Sequence, residues 1–147
     1  MVSANSLAAE TMVAPYVSEM EETSEVNENV IKALCEAEMT AITIPEEYGG
    51  LGLGYTERLI ALEEIGRISV ATAMTLQCFC LGVSPIVNFG TQEQKDRFLP
   101  GMARGEILST ASVTEPTGGS DPTSGRTVYR RDGDDFIING RKCFITN

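Results

Sequence analysis

The chain has 147 residues, enough for one ordinary domain with a sizeable core but short for two complete ones. Its composition, 42% hydrophobic and 22% charged, is that of a soluble globular protein, and 21 acidic against 11 basic residues, a formal net charge of -10, argue against nucleic acid as a partner. No histidine is present, which removes the usual general base, the commonest metal ligand and any Ser-His or Cys-His nucleophile pair, so no metal site is expected and reactivity must be borrowed.

In chain order, Ala4 to about Met20 reads as a helix interrupted by Pro15. Asn27 can cap a second helix whose apolar stripe is Val30, Ile31, Leu34 and Met39. Ala41 to Ile44 is β-branched and reads as extended; it enters "PEEYGGLGLG", Pro45 to Gly54, an ordered packing loop with Tyr48 as a core plug. Thr56 is the expected cap of a third helix that stops at Gly66. A buried helix follows from Val70 and ends at Gly90. Thr91 and Gln94 sit at capping-box spacing before a short helix that Pro100 and Gly101 should terminate.

After Gly105 the texture changes. "ILSTASV", "RTVYRR", "FIIN" and "KCFIT" read as strands, and Asp132-Gly133 and Asn139-Gly140 are the strongest hairpin signals. The expected fold is α+β: an N-terminal helical domain over residues 1–105, then the first part of an antiparallel β-barrel over 106–147, cut short because its last strand would otherwise be an unmanaged edge. Cys35, Cys78, Cys80 and Cys143 lack metal-ligand spacing and read as reduced, buried thiols. With no signal peptide, the expected location is cytoplasmic. Polar residues, Gly82 and Pro85 interrupt Val70 to Phe89, which reads as a core helix and not a membrane span.

The glycine-rich turn "SVTEPTGGSD", Ser112 to Asp121, lacks a Walker ending and opens no helix of a βαβ unit; "GGLGLG" has the wrong spacing for a dinucleotide fingerprint. A strand ending at Val113-Thr114 and turning through Gly118-Gly119-Ser120 offers backbone N–H groups and hydroxyls suited to an anionic or carbonyl-rich ligand. Glu115 and Asp121 would repel a phosphate if turned inward, so they are expected to point away and brace the turn or contact a helix end. From the residues alone an ordinary strand-to-strand turn is the preferred reading.

Four blocks, "ITIPEEYGGLG", "GTQEQKDRFLPGMARGE", "SVTEPTGGSD" and "DGDDFIINGRKCFITN", together resemble the N-terminal part of an acyl-CoA dehydrogenase, a flavoprotein. The resemblance implies a helical domain packed on a middle β-barrel, FAD as cofactor, an acyl-CoA substrate, electron-transfer flavoprotein as acceptor, and a homo-oligomer, commonly a tetramer. It places Val113 and Thr114 at the pyrimidine side of the flavin, Gly119 and Ser120 at the pyrophosphate, Thr146 near flavin N5, Ile145 beside it and Phe144 over a ring face. Phe144 stands where many relatives have tryptophan, and Thr117 and Gly118 depart from the common "EPGAGSD". Phe79, Leu81 and Gly82, with Ser120, are the implied substrate contacts. The glutamate that removes the α proton is expected beyond residue 147, so no catalytic residue is assigned here, and Glu46, Glu47, Glu63, Glu64 and Glu115 are candidates by type only. Related flavoproteins (acyl-CoA oxidase, nitroalkane oxidase or flavin monooxygenase) and a non-catalytic assembly module of the same fold are the alternatives.

Overall fold

A computed structural model describes residues 9–146, so the part of the first expected helix before Ala9 lies outside the described residues. From there the chain runs through a π-helical turn, Ala9–Val13, and a 3-10 turn, Ala14–Tyr16, into α1, Val17–Thr23. Pro15 sits at the start of the 3-10 turn, where a missing N–H is tolerated, and it divides what the sequence reads as one helix. Asn27 caps α2, Glu28–Glu36, its side chain accepting from the Asn29 N–H at 2.9 Å. Val30 and Leu34 are buried as their spacing requires, and Met39 is buried beyond the helix end.

Residues 41–44 form turns and not an extended run. The carbonyls of Ala41, Ile42 and Ile44 accept from the N–H groups of Leu51, Leu53 and Gly52, so the glycine-rich segment folds back on them as an ordered loop. Gly50 permits that closeness: a Cβ there would lie 2.1 Å from the Ile44 carbonyl oxygen. Tyr48 packs against the cluster of Ile44, Val83 and Leu99, and its hydroxyl accepts from Gln92 at 3.0 Å.

Helix α3, Tyr55–Ile68, is capped at Gly54 and not at Thr56, because the Glu57 carboxylate accepts from the Gly54 N–H at 2.9 Å. Gly66 lies inside it. The break comes at Ser69, whose side chain accepts from the Thr72 N–H and caps α4, Val70–Phe89, which Gly90 ends as expected. The Thr91–Gln94 capping box forms at the start of α5, Gln92–Ala103. That helix passes through Pro100 and Gly101, since Ile107 packs onto Gly101 and holds the last turn, and the chain reverses at Gly105, φ +70.

Ala61 and Ile65 of α3 meet Leu76 and Cys80 of α4 and Val30 and Leu34 of α2 in one core cluster; Val83 of α4 meets Leu99 and Met102 of α5 in the other. By length and composition α4 could cross a membrane, with mean hydropathy 1.7 over its window. Thr72, Thr75, Leu76, Phe79, Cys80 and Val83 are buried against their neighbours while Val70, Met74, Leu81 and Phe89 are exposed, so the expected buried helix is buried on one face only. Of the four free cysteines only Cys80 is buried, correcting the expectation for Cys35, Cys78 and Cys143, which are half-buried.

The chain divides into two compact units, one ending at Ser109 and the other spanning Thr110–Thr146. In the second, β1, Val128–Asp132, and β2, Asp135–Asn139, pair antiparallel with Asp132 opposite Asp135. The two-residue loop is therefore Gly133-Asp134, one position beyond the expected dipeptide, with Gly133 at φ +64. Tyr129 and Phe136 make an edge-to-face pair with ring centroids 5.8 Å apart. Residues 107–113 and 142–146 are not strands, and Asn139-Gly140 makes no second hairpin. β-Propensity needs a partner strand to become a ladder, and here 142–146 bonds 110–114 only at isolated points. Gly140 instead lies against Thr127, whose Oγ1 a Cβ would meet at 2.1 Å. The result is an all-helical region followed by a small, unclosed antiparallel sheet.

Candidate functional site

The residues expected at the cofactor lie on two segments of the second unit that hydrogen bonds hold side by side. Cys143 N–H donates to the Thr114 carbonyl at 3.0 Å, Lys142 Nζ to the Val113 carbonyl at 3.0 Å, and Thr110 Oγ1 to the Thr146 carbonyl at 2.6 Å. The turn itself is closed by reciprocal bonds of 3.0 Å between Glu115 and Gly118, which place Pro116-Thr117 at its tip. Gly118 has φ +154, a backbone that L side chains rarely adopt. Gly119 passes close to Thr114, whose Oγ1 would be 2.9 Å from an added Cβ.

This leaves a set of unused donors. The N–H groups of Val113, Thr114, Gly119 and Ser120, and the hydroxyls of Thr114, Ser120 and Thr146, have no hydrogen-bond partner among the described residues. The carbonyls of Val113 and Thr114, by contrast, are already engaged. Such a surface presents donors to an acceptor-rich ligand. Beside it Phe144 is 92% exposed and sits at φ +55, a left-handed backbone that costs a bulky residue about 1–3 kcal/mol and that clusters at ligand sites. Ile145 is half-buried next to it.

Neither acidic residue is left for a ligand: Asp121 caps the 3-10 turn Pro122–Ser124, and Glu115 ties the glycine turn to the residues before β1. Asp121 Oδ1 accepts from the Thr123 N–H and hydroxyl, and these bonds lower its pKa. Glu115 is buried, its carboxylate accepting from the Arg126 N–H at 2.6 Å, the Thr127 N–H at 2.9 Å and Lys142 Nζ at 2.9 Å. Its pKa is pushed down to about 2, first by the adjacent Thr127 hydroxyl, which lies against the carboxylate outside good hydrogen-bond geometry, then by the Arg126 N–H and the Lys142 ammonium. Glu115 is therefore a poor base.

In the helical unit, Phe79, Leu81 and Gly82 occupy one turn of α4. Phe79 is buried, Leu81 is 40% exposed and Gly82 is half-buried. The Phe79 carbonyl accepts from Ser109 Oγ at 2.5 Å. A cavity of about 600 Å³ lined by Val26, Ile31, Cys35, Arg104, Gly105 and Leu108 contains none of the expected site residues. Sequence reasoning missed Lys142. Its signal was the second cation of the Arg141-Lys142 pair, set at the start of the apolar run Cys143, Phe144 and Ile145, which acquires meaning only once Glu115 is known to be buried.

Comparison with known proteins gives this geometry a context. Residues 3–106 match the family model for the acyl-CoA dehydrogenase N-terminal domain, and residues 110–147 match that for the acyl-CoA dehydrogenase middle domain. An acyl-CoA dehydrogenase of Bacillus subtilis is 38% identical over 136 residues, 92% of this chain and 36% of the relative. Among solved structures, a chain from the electron transferring flavoprotein of Acidaminococcus fermentans superposes with TM-score 0.92 at 34% identity, over 98% of this chain and 38% of the other. An acyl-CoA dehydrogenase complexed with FAD from Bacillus anthracis superposes with TM-score 0.89 at 30% identity, over 99% of this chain and 25% of the other. The chain spans 36–38% of the length of the first curated relatives it matches. On these matches the chain belongs to the acyl-CoA dehydrogenase family, of which it carries the N-terminal domain and middle-domain sequence.

Proposed function

We propose that this chain supplies part of the FAD site of an enzyme that dehydrogenates acyl-CoA thioesters between the α and β carbons. The observation that carries the reading is the row of unused N–H and hydroxyl donors at Val113, Thr114, Gly119, Ser120 and Thr146 beside the exposed, left-handed Phe144. The donor set fits the acceptor-rich pyrimidine edge and pyrophosphate of FAD, and a Bacillus anthracis relative is known with FAD bound.

In this reading the Val113 and Thr114 N–H groups and the Thr114 hydroxyl hold the pyrimidine edge. Gly119 and Ser120 N–H hold the pyrophosphate, with Ser120 also toward the substrate. Phe144 covers one ring face and Ile145 supports the same edge. FAD, when bound, supplies the hydride-accepting ring, and the Thr146 hydroxyl is positioned to donate at that end. The strongly acidic Glu115 is not the α-proton base, because a group with pKa about 2 has little driving force to take a proton near neutral pH. Phe79, Leu81 and Gly82 are the proposed acyl contacts. Electron-transfer flavoprotein is the proposed acceptor, and a homotetramer is the proposed working assembly.

The test is to purify the protein that contains this chain, quantify bound flavin, and follow reduction of an electron acceptor by acyl-CoA. Stoichiometric flavin with acyl-CoA-dependent reduction supports the reading. A well-folded protein that holds no flavin contradicts it and favours the assembly-module alternative.

A further inference from the structure

We propose that Lys142 is a positioning residue of the flavin site: its ammonium bridges the buried Glu115 carboxylate and the Val113 carbonyl, and so sets the spacing between the two segments that carry the cofactor contacts. This rests on the flavin reading above and deepens it. Lys142 Nζ lies 2.9 Å from Glu115 Oε1 and 3.0 Å from the Val113 oxygen, with 29% of the Lys142 side chain exposed against 5% for Glu115.

The two ends of the bridge do different things. Glu115 spends its other contacts on the Arg126 and Thr127 N–H groups at 2.6 and 2.9 Å, where the chain enters β1, so its carboxylate holds the unit together. Among the described residues, Lys142 bonds only Glu115 and Val113 and nothing in β1 or β2. Its second acceptor is the carbonyl of Val113, whose neighbouring N–H groups are among the unused donors. It also stands two residues before Phe144, and the intervening Cys143 N–H bonds the Thr114 carbonyl at 3.0 Å. The ammonium therefore fixes the approach of Val113-Thr114 to Phe144–Thr146 at the end where the donors point out. The charges facing it are the Glu115 carboxylate and the Val113 carbonyl dipole, and removing the cation leaves a buried carboxylate short of one donor and a carbonyl free to swing.

This makes fold and site separable. Glu115→Gln should disturb the fold more, because its amide NH2 faces N–H donors at 126 or 127, yet it keeps the Lys142 bond to Val113. Lys142→Met should disturb the site more. In the protein that contains this chain, FAD dissociation constants, the absorption band of the bound flavin and melting temperatures are compared for wild type, K142M, K142R and E115Q. We expect K142M to weaken FAD about 10- to 100-fold with a shifted flavin band. K142R, which can reach both acceptors with separate N–H groups, should recover most of that loss, and E115Q should lose more melting temperature but less affinity than K142M. K142M with wild-type affinity and spectrum overturns the inference, as does K142M that fails to fold while E115Q folds. Wild-type protein that binds no FAD overturns the flavin reading itself, and with it this inference, before any variant is compared.

Discussion

Gly119→Ala probes the turn at the point where it touches the expected ligand contact. A Cβ on Gly119 would lie 2.9 Å from Thr114 Oγ1, 3.0 Å from its Cγ2 and 3.4 Å from its Cβ. Contacts between carbon atoms are comfortable at about 3.5–4.0 Å, so the Thr114 side chain must turn away by a fraction of a rotamer, at about 0.5–1.5 kcal/mol. Gly119 does not have positive φ, so alanine brings no backbone strain and stiffens the unfolded chain, which returns about 0.4–1 kcal/mol. The two nearly cancel, and the melting temperature should barely move. The Thr114 hydroxyl, however, is displaced from a position where it can donate to a ligand, and one such hydrogen bond is worth about 0.5–1.5 kcal/mol, or about two- to twelve-fold in dissociation constant. The assay is FAD titration followed by flavin fluorescence, with a thermal melt on the same sample. Gly118→Ala is the control: nothing lies within 4 Å of its Cβ, but φ +154 strains any side chain, so it should lose stability. A G119A protein that binds FAD as tightly as wild type refutes the reasoning that Thr114 contacts the cofactor.

Further outcomes are expected. Phe144→Gly removes left-handed strain at a residue with almost no packing to lose, so stability should rise by up to about 1 kcal/mol while FAD affinity falls; a loss of stability, read by urea unfolding, would mean that Phe144 is structural. The Glu115 carboxyl is depressed in the folded state, so the stability it contributes is fully present above the ordinary carboxyl range near pH 4.5 and is lost as pH falls toward about 2. The gap in melting temperature between wild type and E115Q should accordingly shrink over that window, and a pH-independent gap would contradict the ionic assignment. In the helical core, Leu34→Ala, at a site 2% exposed, should cost about 2–5 kcal/mol, measured by denaturant unfolding. Gly50→Ala places its Cβ 2.1 Å from a backbone oxygen that cannot rotate away, so it should cost more than the about 1–3 kcal/mol of ordinary overpacking.

The parts of this structure that local rules govern were legible in the sequence. Asn27, Thr91 with Gln94, and Gly90 act within one helical turn, and each does what its type predicts. The failures came where tertiary contact overrode a local signal. Gly66 reads as a stop, yet α3 continues past it because Ser69 offers the next helix a better start. Pro100 reads as a terminator, yet packing of Ile107 on Gly101 keeps the last turn. The texture at 107–113 and 142–146 reads as strand, but a strand is a property of a pair, and no partner strand lies among the described residues to make one. At the candidate site the donors of the glycine turn could be anticipated from residue type. The left-handed backbone of Phe144 and the Lys142 bridge could not, since both depend on how two distant segments meet.

Hydrogen exchange with and without FAD, resolved to single amides, bears on the whole account. The N–H groups of Val113, Thr114, Gly119 and Ser120 have no acceptor among the described residues and should exchange fast in the flavin-free protein. Addition of FAD should slow those amides, while β1 and β2 change little. Protection that appears elsewhere, with these amides still exchanging freely in the flavin-loaded protein, would place the cofactor at a different surface.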